Sequence, residues 1–186
     1  MLNLNDVDWS KLPAPVDDGA ARHLPGCKLP RSTLRATDGS QTDLSALSGR
    51  SIIYIYPMTG RPDRALPDGW DGIPGARGCT PQSCAFRDHH AELLSLNVAH
   101  LFGLSTQTTD YQREAAERMH LPFPLLSDAD LQLTAALRLP TFDVEGMTLL
   151  KRMTLVLQNE VIEHVFYPVF PPDQSASDVI NWLQTQ

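Results

Sequence analysis

Apolar residues in this chain fall into two kinds of run. Ser51-Ile52-Ile53-Tyr54-Ile55-Tyr56 is continuous, and Val98 to Leu104 reads as a second buried strand. Runs of this kind suit strands covered on both faces, as at the centre of a parallel sheet. Elsewhere the apolar positions are spaced for amphipathic helices. These are Ala85 to Leu96, Tyr111 to Met119 with Ala115, Ala116 and Met119 on one face, Leu131 to Leu137, and Ser177 to Leu183 with Val179, Ile180 and Leu183 turned inward. Met153 to Gln158 and Val161 to Tyr167 alternate about Asn159-Glu160 and predict an antiparallel hairpin. A shorter hairpin is expected at Lys28 to Ala36 with the turn Asp38-Gly39-Ser40, then a turn of helix at Leu44 to Leu47. Phe123 to Leu126 reads as a short extended segment.

The polar positions set the boundaries. Thr109 and Gln112 form a capping-box pattern, Ser127 to Asp130 caps the helix that Pro140 stops, and Pro57 ends the first buried strand. Met58 to Gly78 has no periodicity and holds five glycines and three prolines. A loop of that length is uncommon unless it is functional. It is either a surface insertion or a wall in which Trp70 and its neighbours shape the entrance to a site. Residues 1–24 read as a polar arm, and 25–186 as one domain in which strands and helices alternate, an α/β chain.

Composition narrows the function. The 186 residues are 42% hydrophobic, enough for one sizeable core, and carry a formal net charge of -7 with no run of Lys or Arg. Nucleic acid is therefore not expected as a partner. Met1 to Asp8 has acidic residues where a secretory signal would be basic, and no apolar run approaches the ~18 residues of a membrane span. The expectation is a cytoplasmic protein with no membrane contact. In that reducing compartment, neighbouring cysteines point to catalysis or redox sensing rather than a structural bridge. Cys27 stands apart, as a small buried apolar residue or a third redox thiol.

The candidate chemistry lies in Gly78-Cys79-Thr80-Pro81-Gln82-Ser83-Cys84-Ala85-Phe86-Arg87-Asp88. Thr80 suits an N-cap and Pro81 the first helical position, which puts Cys79 at the mouth of a helix. The helix dipole, Arg77 and Arg87 would all favour its thiolate. Within one regular helix, cysteines five residues apart have Cα atoms roughly 8 to 9 Å apart. A disulfide needs less than about 7 Å, so Cys79 and Cys84 could join only if the first turn unwinds. His89 and His90 diverge by about 100° on a helix and make no chelating pair, so no metal is expected. No phosphate loop or dinucleotide fingerprint calls for a cofactor.

Gly78-Cys79-Thr80, Cys84 and Phe86-Arg87-Asp88 resemble the active-site segment of the peroxiredoxins, in particular the bacterioferritin comigratory protein or peroxiredoxin Q subfamily. Tyr54-Ile55-Tyr56-Pro57 is similar to the strand that precedes that segment, and Arg152-x-Thr154 to the strand that carries the family's arginine. The similarity runs from about Gly26 to Leu183. It implies a thioredoxin-like fold, a mixed central sheet with helices on both faces and an N-terminal hairpin. It also implies a peroxidase in which Cys79 attacks hydrogen peroxide or a small organic hydroperoxide and Cys84 captures the sulfenic acid as an intramolecular disulfide. A thioredoxin-like protein would be the reductant, and the chain a monomer or weak dimer. Arg152 would touch sulfur and peroxide, Pro57 would shield the sulfur, and Arg87 with Asp88 would brace the helix. The family's threonine three residues before the cysteine, whose hydroxyl holds thiolate and peroxide, is replaced here by Ala76. Thr59, Thr80 or a backbone N–H could supply the missing donor. Two rivals use the same cysteines: a peroxide-responsive redox sensor and a protein disulfide oxidoreductase.

Overall fold

The computed structural model describes residues 7–186. The first six residues of the expected arm 1–24, and with them most of the Met1 to Asp8 segment, lie outside that range. Seven strands form one mixed sheet: β1 (Thr33–Ala36), β2 (Gln41–Asp43), β3 (Arg50–Ile55), β4 (Val98–Ser105), β5 (Leu125–Ser127), β8 (Met153–Gln158) and β9 (Val161–Phe166), in the order β2-β1-β5-β4-β3-β8-β9. The two segments read as buried strands are the neighbours β3 and β4, paired in parallel, and β4 pairs in parallel with β5. β8 runs antiparallel to β3, and β1 antiparallel to β5.

Side chains alternate across β3, so its two faces feed two cores. Ile52, Tyr54 and Tyr56 join Phe86 and Leu93 from α1 (Cys79–Asp88) and α2 (His90–Ser95), together with Val179, Ile180 and Leu183 from α5 (Ser175–Leu183). Ile53 and Ile55 join Leu133 and Leu137 of α4 (Gln132–Leu137) and Ala21 and Leu24 of the arm. Ala116 of α3 (Thr109–Arg118) packs on the first of these cores. Helices on both faces of a mixed sheet, entered through the β1–β2 hairpin, give the thioredoxin-like fold.

Several boundaries differ from the sequence expectation. Thr108, not Thr109, caps α3, accepting from the Tyr111 N–H. The helix expected to run to Leu96 breaks at His89, where Arg87 to His90 leave four polar residues in the apolar stripe that would hold a longer helix on the sheet. A further hairpin, β6 (Thr141–Val144) with β7 (Met147–Leu150), follows α4 and had no counterpart in the sequence reading. Against it lies the long loop: Met58, Trp70, Ala76 and Leu149 form a small core of their own with Leu66, Ile73 and Phe142 around it. The loop is thus packed rather than draped.

The arm and the segment before α5 close over the start of α1. Trp9 Nε1 donates to Asp173 Oδ2 at 2.9 Å, and the Trp9 ring meets Phe170 edge-on. Gly78 lies beneath them with φ +109°, and a Cβ there would come within 2.5 Å of Pro172 Cγ and 2.9 Å of Trp9 Cη2. Strain and collision both act against any side chain at this position. Gly78→Ala should lower stability by roughly 1–3 kcal/mol, read as a reduced urea midpoint with unchanged slope. An unchanged midpoint would contradict this packing.

Candidate active site

Cys79 is the first residue of α1 and Gly78 its N-cap, which places the helix start two residues earlier than the Thr80 cap read from the sequence. The cause is the left-handed Gly78 backbone, which turns the chain sharply enough for the Gly78 carbonyl to accept the Gln82 N–H at 3.0 Å. Within the helix the N–H groups of Cys79 and Thr80 have no partner, and Pro81 has none to offer. Cys79 therefore sits where the positive end of the helix dipole is strongest.

The Cys79 sulfur is buried, 3.6 Å from the Ala76 carbonyl and 3.2 Å from Nη2 of Arg152. Arg152 itself is buried, at 3% exposure. Its Nε donates to the Gly75 carbonyl at 3.3 Å, and Nη2 donates to the carbonyls of Ala76 and Arg77 at 3.1 and 3.2 Å. Nη1 donates to Oε1 of Gln82. Every partner the structure gives this guanidinium is a carbonyl, an amide oxygen or the sulfur. The Cys79 sulfur is thus one of the acceptors that satisfy this buried cation.

Gln82 escaped the sequence reading. It is fully buried, holds Arg152 through Oε1, and donates through Nε2 to Ser175 Oγ at 3.3 Å. Ser175 in turn meets Thr154 Oγ1 at 3.1 Å. The available signal was spacing, since three residues on from Cys79 is one turn along the same helix face. Arg152 also departs from expectation in its backbone, which lies in the two-residue link between β7 and β8 rather than on a strand. Lys151 beside it points outward to Asp18, 2.6 Å away.

Cys84 is half-buried, and the thiols of Cys27, Cys79 and Cys84 are all free. Burial pushes the Cys84 thiol above its ordinary range, with Arg87 pulling the other way. Arg87 therefore serves Cys84 and not Cys79, contrary to the sequence expectation. Its guanidinium pairs with Asp88 at 2.8 Å and donates to the Met119 carbonyl at 2.9 Å, tying α1 to α3. Arg77 faces outward to Asp71 at 2.9 Å. Pro57 is buried, two residues past the end of β3. The Thr59 hydroxyl is buried and committed to Gln107 Oε1 at 3.2 Å, so it does not replace the threonine absent at position 76. Thr80, by contrast, lines the same cleft as Cys79. That cleft measures about 380 Å³, and the long loop supplies much of its wall through Gly60, Leu66 and Trp70. Cys27 lies elsewhere, its Sγ donating to the His23 carbonyl at 3.0 Å.

Comparison with known proteins bears on the family and the fold. The Redoxin family model matches residues 24–181. A chloroplastic peroxiredoxin Q of Oryza sativa subsp. japonica is 31% identical over 162 residues, which are 86% of this chain and 66% of the rice protein. The chain thus spans slightly less than two thirds of that relative. Among solved structures, the peroxidoxin BcpB of Mycobacterium tuberculosis superposes with a TM-score of 0.70 at 24% identity, covering 88% of this chain and 98% of that one. A bacterioferritin comigratory protein of Xanthomonas campestris, studied for its alkyl peroxide reduction activity, gives 0.65 at 21% identity over 88% and 97% of the two chains. With the Redoxin match over most of its length, the peroxiredoxin Q likeness and a thiol at a helix mouth, the chain belongs to the peroxiredoxins, in the peroxiredoxin Q and bacterioferritin comigratory protein subfamily.

Proposed function

We propose that this chain is a thiol-dependent peroxidase in which Cys79 attacks and Cys84 resolves. The observation that carries the reading is the buried guanidinium of Arg152 at 3.2 Å from the buried Cys79 sulfur, at the floor of an open cleft. The thiolate attacks one oxygen of the hydroperoxide, and the O–O bond breaks as the S–O bond forms. The departing oxygen takes a proton and leaves as water or an alcohol, and Cys79 becomes a sulfenic acid. Charge moves from sulfur to the leaving oxygen in this step. Arg152 and the unpaired N–H groups of the first helical turn are placed to follow it.

Resolution needs a change of shape. Cys79 and Cys84 share one helix, where their Cα atoms stand roughly 8 to 9 Å apart, beyond the reach of a disulfide. Unwinding the first turn lets the Cys84 sulfur attack the Cys79 sulfenic acid, forming S–S and releasing water. A thioredoxin-like dithiol then supplies two electrons and two protons to restore both thiols. Such recycling calls for a reducing, cytoplasm-like compartment, and because resolution is internal it needs no second copy of the chain. The family relationship, together with the alkyl peroxide reduction studied in the Xanthomonas campestris protein, supports hydrogen peroxide and small organic hydroperoxides as substrates.

Peroxide consumption with a dithiol reductant, followed by mass mapping of the cysteines, tests this. Cys79→Ser should abolish turnover, Cys84→Ser should accumulate sulfenic acid on Cys79, and Arg152→Met should slow oxidation of Cys79 by about a hundredfold. Rapid peroxide consumption by Cys79→Ser would refute the assignment. The pH dependence separates the two steps. Because burial raises the Cys84 thiol, its thiolate is scarce near neutrality and grows with pH. Disulfide formation, timed by stopped flow after the sulfenic acid forms, should accelerate by up to about tenfold per pH unit from neutrality to beyond the ordinary thiol value of ~8.5. A flat profile would show that ionisation of Cys84 does not limit resolution.

A further inference from the structure

Residues 7–18 precede the stretch 24–181 matched to the Redoxin family, and the structure lays them across the approach to α1. Pro15 packs on Gly75, where a Cβ would come within 3.3 Å of Pro15 Cγ, and the Trp9 ring covers Gly78. Asp18 continues the same line, accepting from Lys151 Nζ at 2.6 Å and from the Tyr167 hydroxyl at 2.8 Å. The backbone under the arm carries the Gly75, Ala76 and Arg77 carbonyls that hold Arg152, and Gly78 opens α1. The arm therefore bears on the turn that has to unwind. Its hold is light. No residue from Val7 to Asp18 is fully buried, and the first that is, Ala21, already belongs to the core. A cavity of about 330 Å³ lies among Ala14, Pro15, Val16, Phe142 and Tyr167, so the middle of the arm stands off the fold. The pair of Asp18 with Lys151 is exposed on both sides and correspondingly weak. The firmest point is Trp9, fixed by one hydrogen bond to the Asp173 carboxylate and by its edge-on contact with Phe170. A segment attached by so few buried contacts opens without unfolding the domain.

We propose that the arm is a strap that sets how fast Cys79 and Cys84 join, with Trp9 as its positioning residue. While Trp9 sits on Gly78, the left-handed backbone there and the first turn of α1 are held from above. When it lifts, Pro172 alone remains of the two side chains that close on Gly78, and the turn is free to open. The inference rests on the peroxidase reading and adds a control on its second step. The chemistry of that step is unchanged: the Cys84 thiolate attacks the Cys79 sulfenic acid, S–S forms as S–O breaks, and the oxygen takes a proton and leaves as water. Attack on peroxide uses the wound turn, and resolution uses the open one. Loosening the strap therefore speeds the second step and cannot speed the first.

The test follows a single turnover with one equivalent of hydrogen peroxide by quenched flow, mapping sulfenic acid and disulfide by mass at each time. Trp9→Ala should quicken disulfide formation by about tenfold, the effect of losing one hydrogen bond to a carboxylate, and leave oxidation of Cys79 unchanged or slower. Trp9→Phe keeps a ring but loses the donor and should fall between the two; it also serves the comparison if the alanine variant does not fold. A general loss of stability would not speed one step alone. Resolution that is unchanged or slower in both variants would overturn the proposal. Should Cys79 not react with peroxide, the peroxidase reading falls, and hydrogen–deuterium exchange of the reduced chain still decides the strap. The Gln82 amide, bonded to the Gly78 carbonyl at 3.0 Å, should exchange about tenfold faster in Trp9→Ala while β3 and β8 keep their natural rates. An unchanged Gln82 rate, or one that rises together with β3 and β8, would overturn it.

Discussion

A guanidinium buried, among the described residues, without a carboxylate partner is the constraint on which the rest of this site depends. Arg152 must be given acceptors, and the chain supplies them from the bend at Gly75 to Arg77, from Gln82 on α1 and from the sulfur of Cys79. That demand joins the end of the long loop and the first turn of α1, neighbours in sequence, to the link before β8, which lies 70 to 77 residues further on. Through Gln82 and Ser175 it reaches the start of α5 as well. Positioning of the sulfur is therefore not local to the Cys79 segment. It is a property of how α1 and α5 sit on the sheet.

The arrangement that holds the Cys79 sulfur also opposes a disulfide to Cys84. Cys84 is one and a half turns along the helix whose first turn holds Cys79, and the turn between them is anchored. Gln82 is bound to Arg152 and Ser175, Ser83 accepts from the Tyr54 hydroxyl at 3.1 Å, and Phe86 stacks on Tyr54 with centroids 4.5 Å apart. Unwinding residues 79–84 costs the contacts of Gln82 and Ser83 but can spare Phe86, which stays on the sheet as a pivot. In the proposed cycle, oxidation adds an oxygen to the sulfur that Arg152 holds at 3.2 Å, so the first chemical step falls on the contact that anchors this turn.

Much of this was legible in the chain. Apolar-rich runs identified β3 and β4 because strands covered on both faces need them, and the Asn159-Glu160 turn marked the β8–β9 hairpin. Cys79 at a helix mouth followed from the residues after it. The rest depended on partners distant in sequence. The start of α1 at Gly78 is set by Pro172 and Trp9 above it, so reading Thr80 as the cap on local preference alone placed it too late. Gln82 looked like any polar helix residue until Arg152 stood opposite it. The loop from Met58 to Gly78 showed no period because it packs on the β6–β7 hairpin through scattered residues rather than through a repeating face.

The most direct measurement is hydrogen–deuterium exchange of the peptide spanning residues 79–88, taken on the reduced chain and again after one equivalent of hydrogen peroxide, with the cysteines mapped in the same samples. Slow exchange in the reduced chain, giving way to fast exchange in the first turn as a Cys79–Cys84 disulfide appears, is what the account requires. A disulfide that forms while the first turn stays protected, or a Cys79 left reduced while peroxide persists, would contradict it.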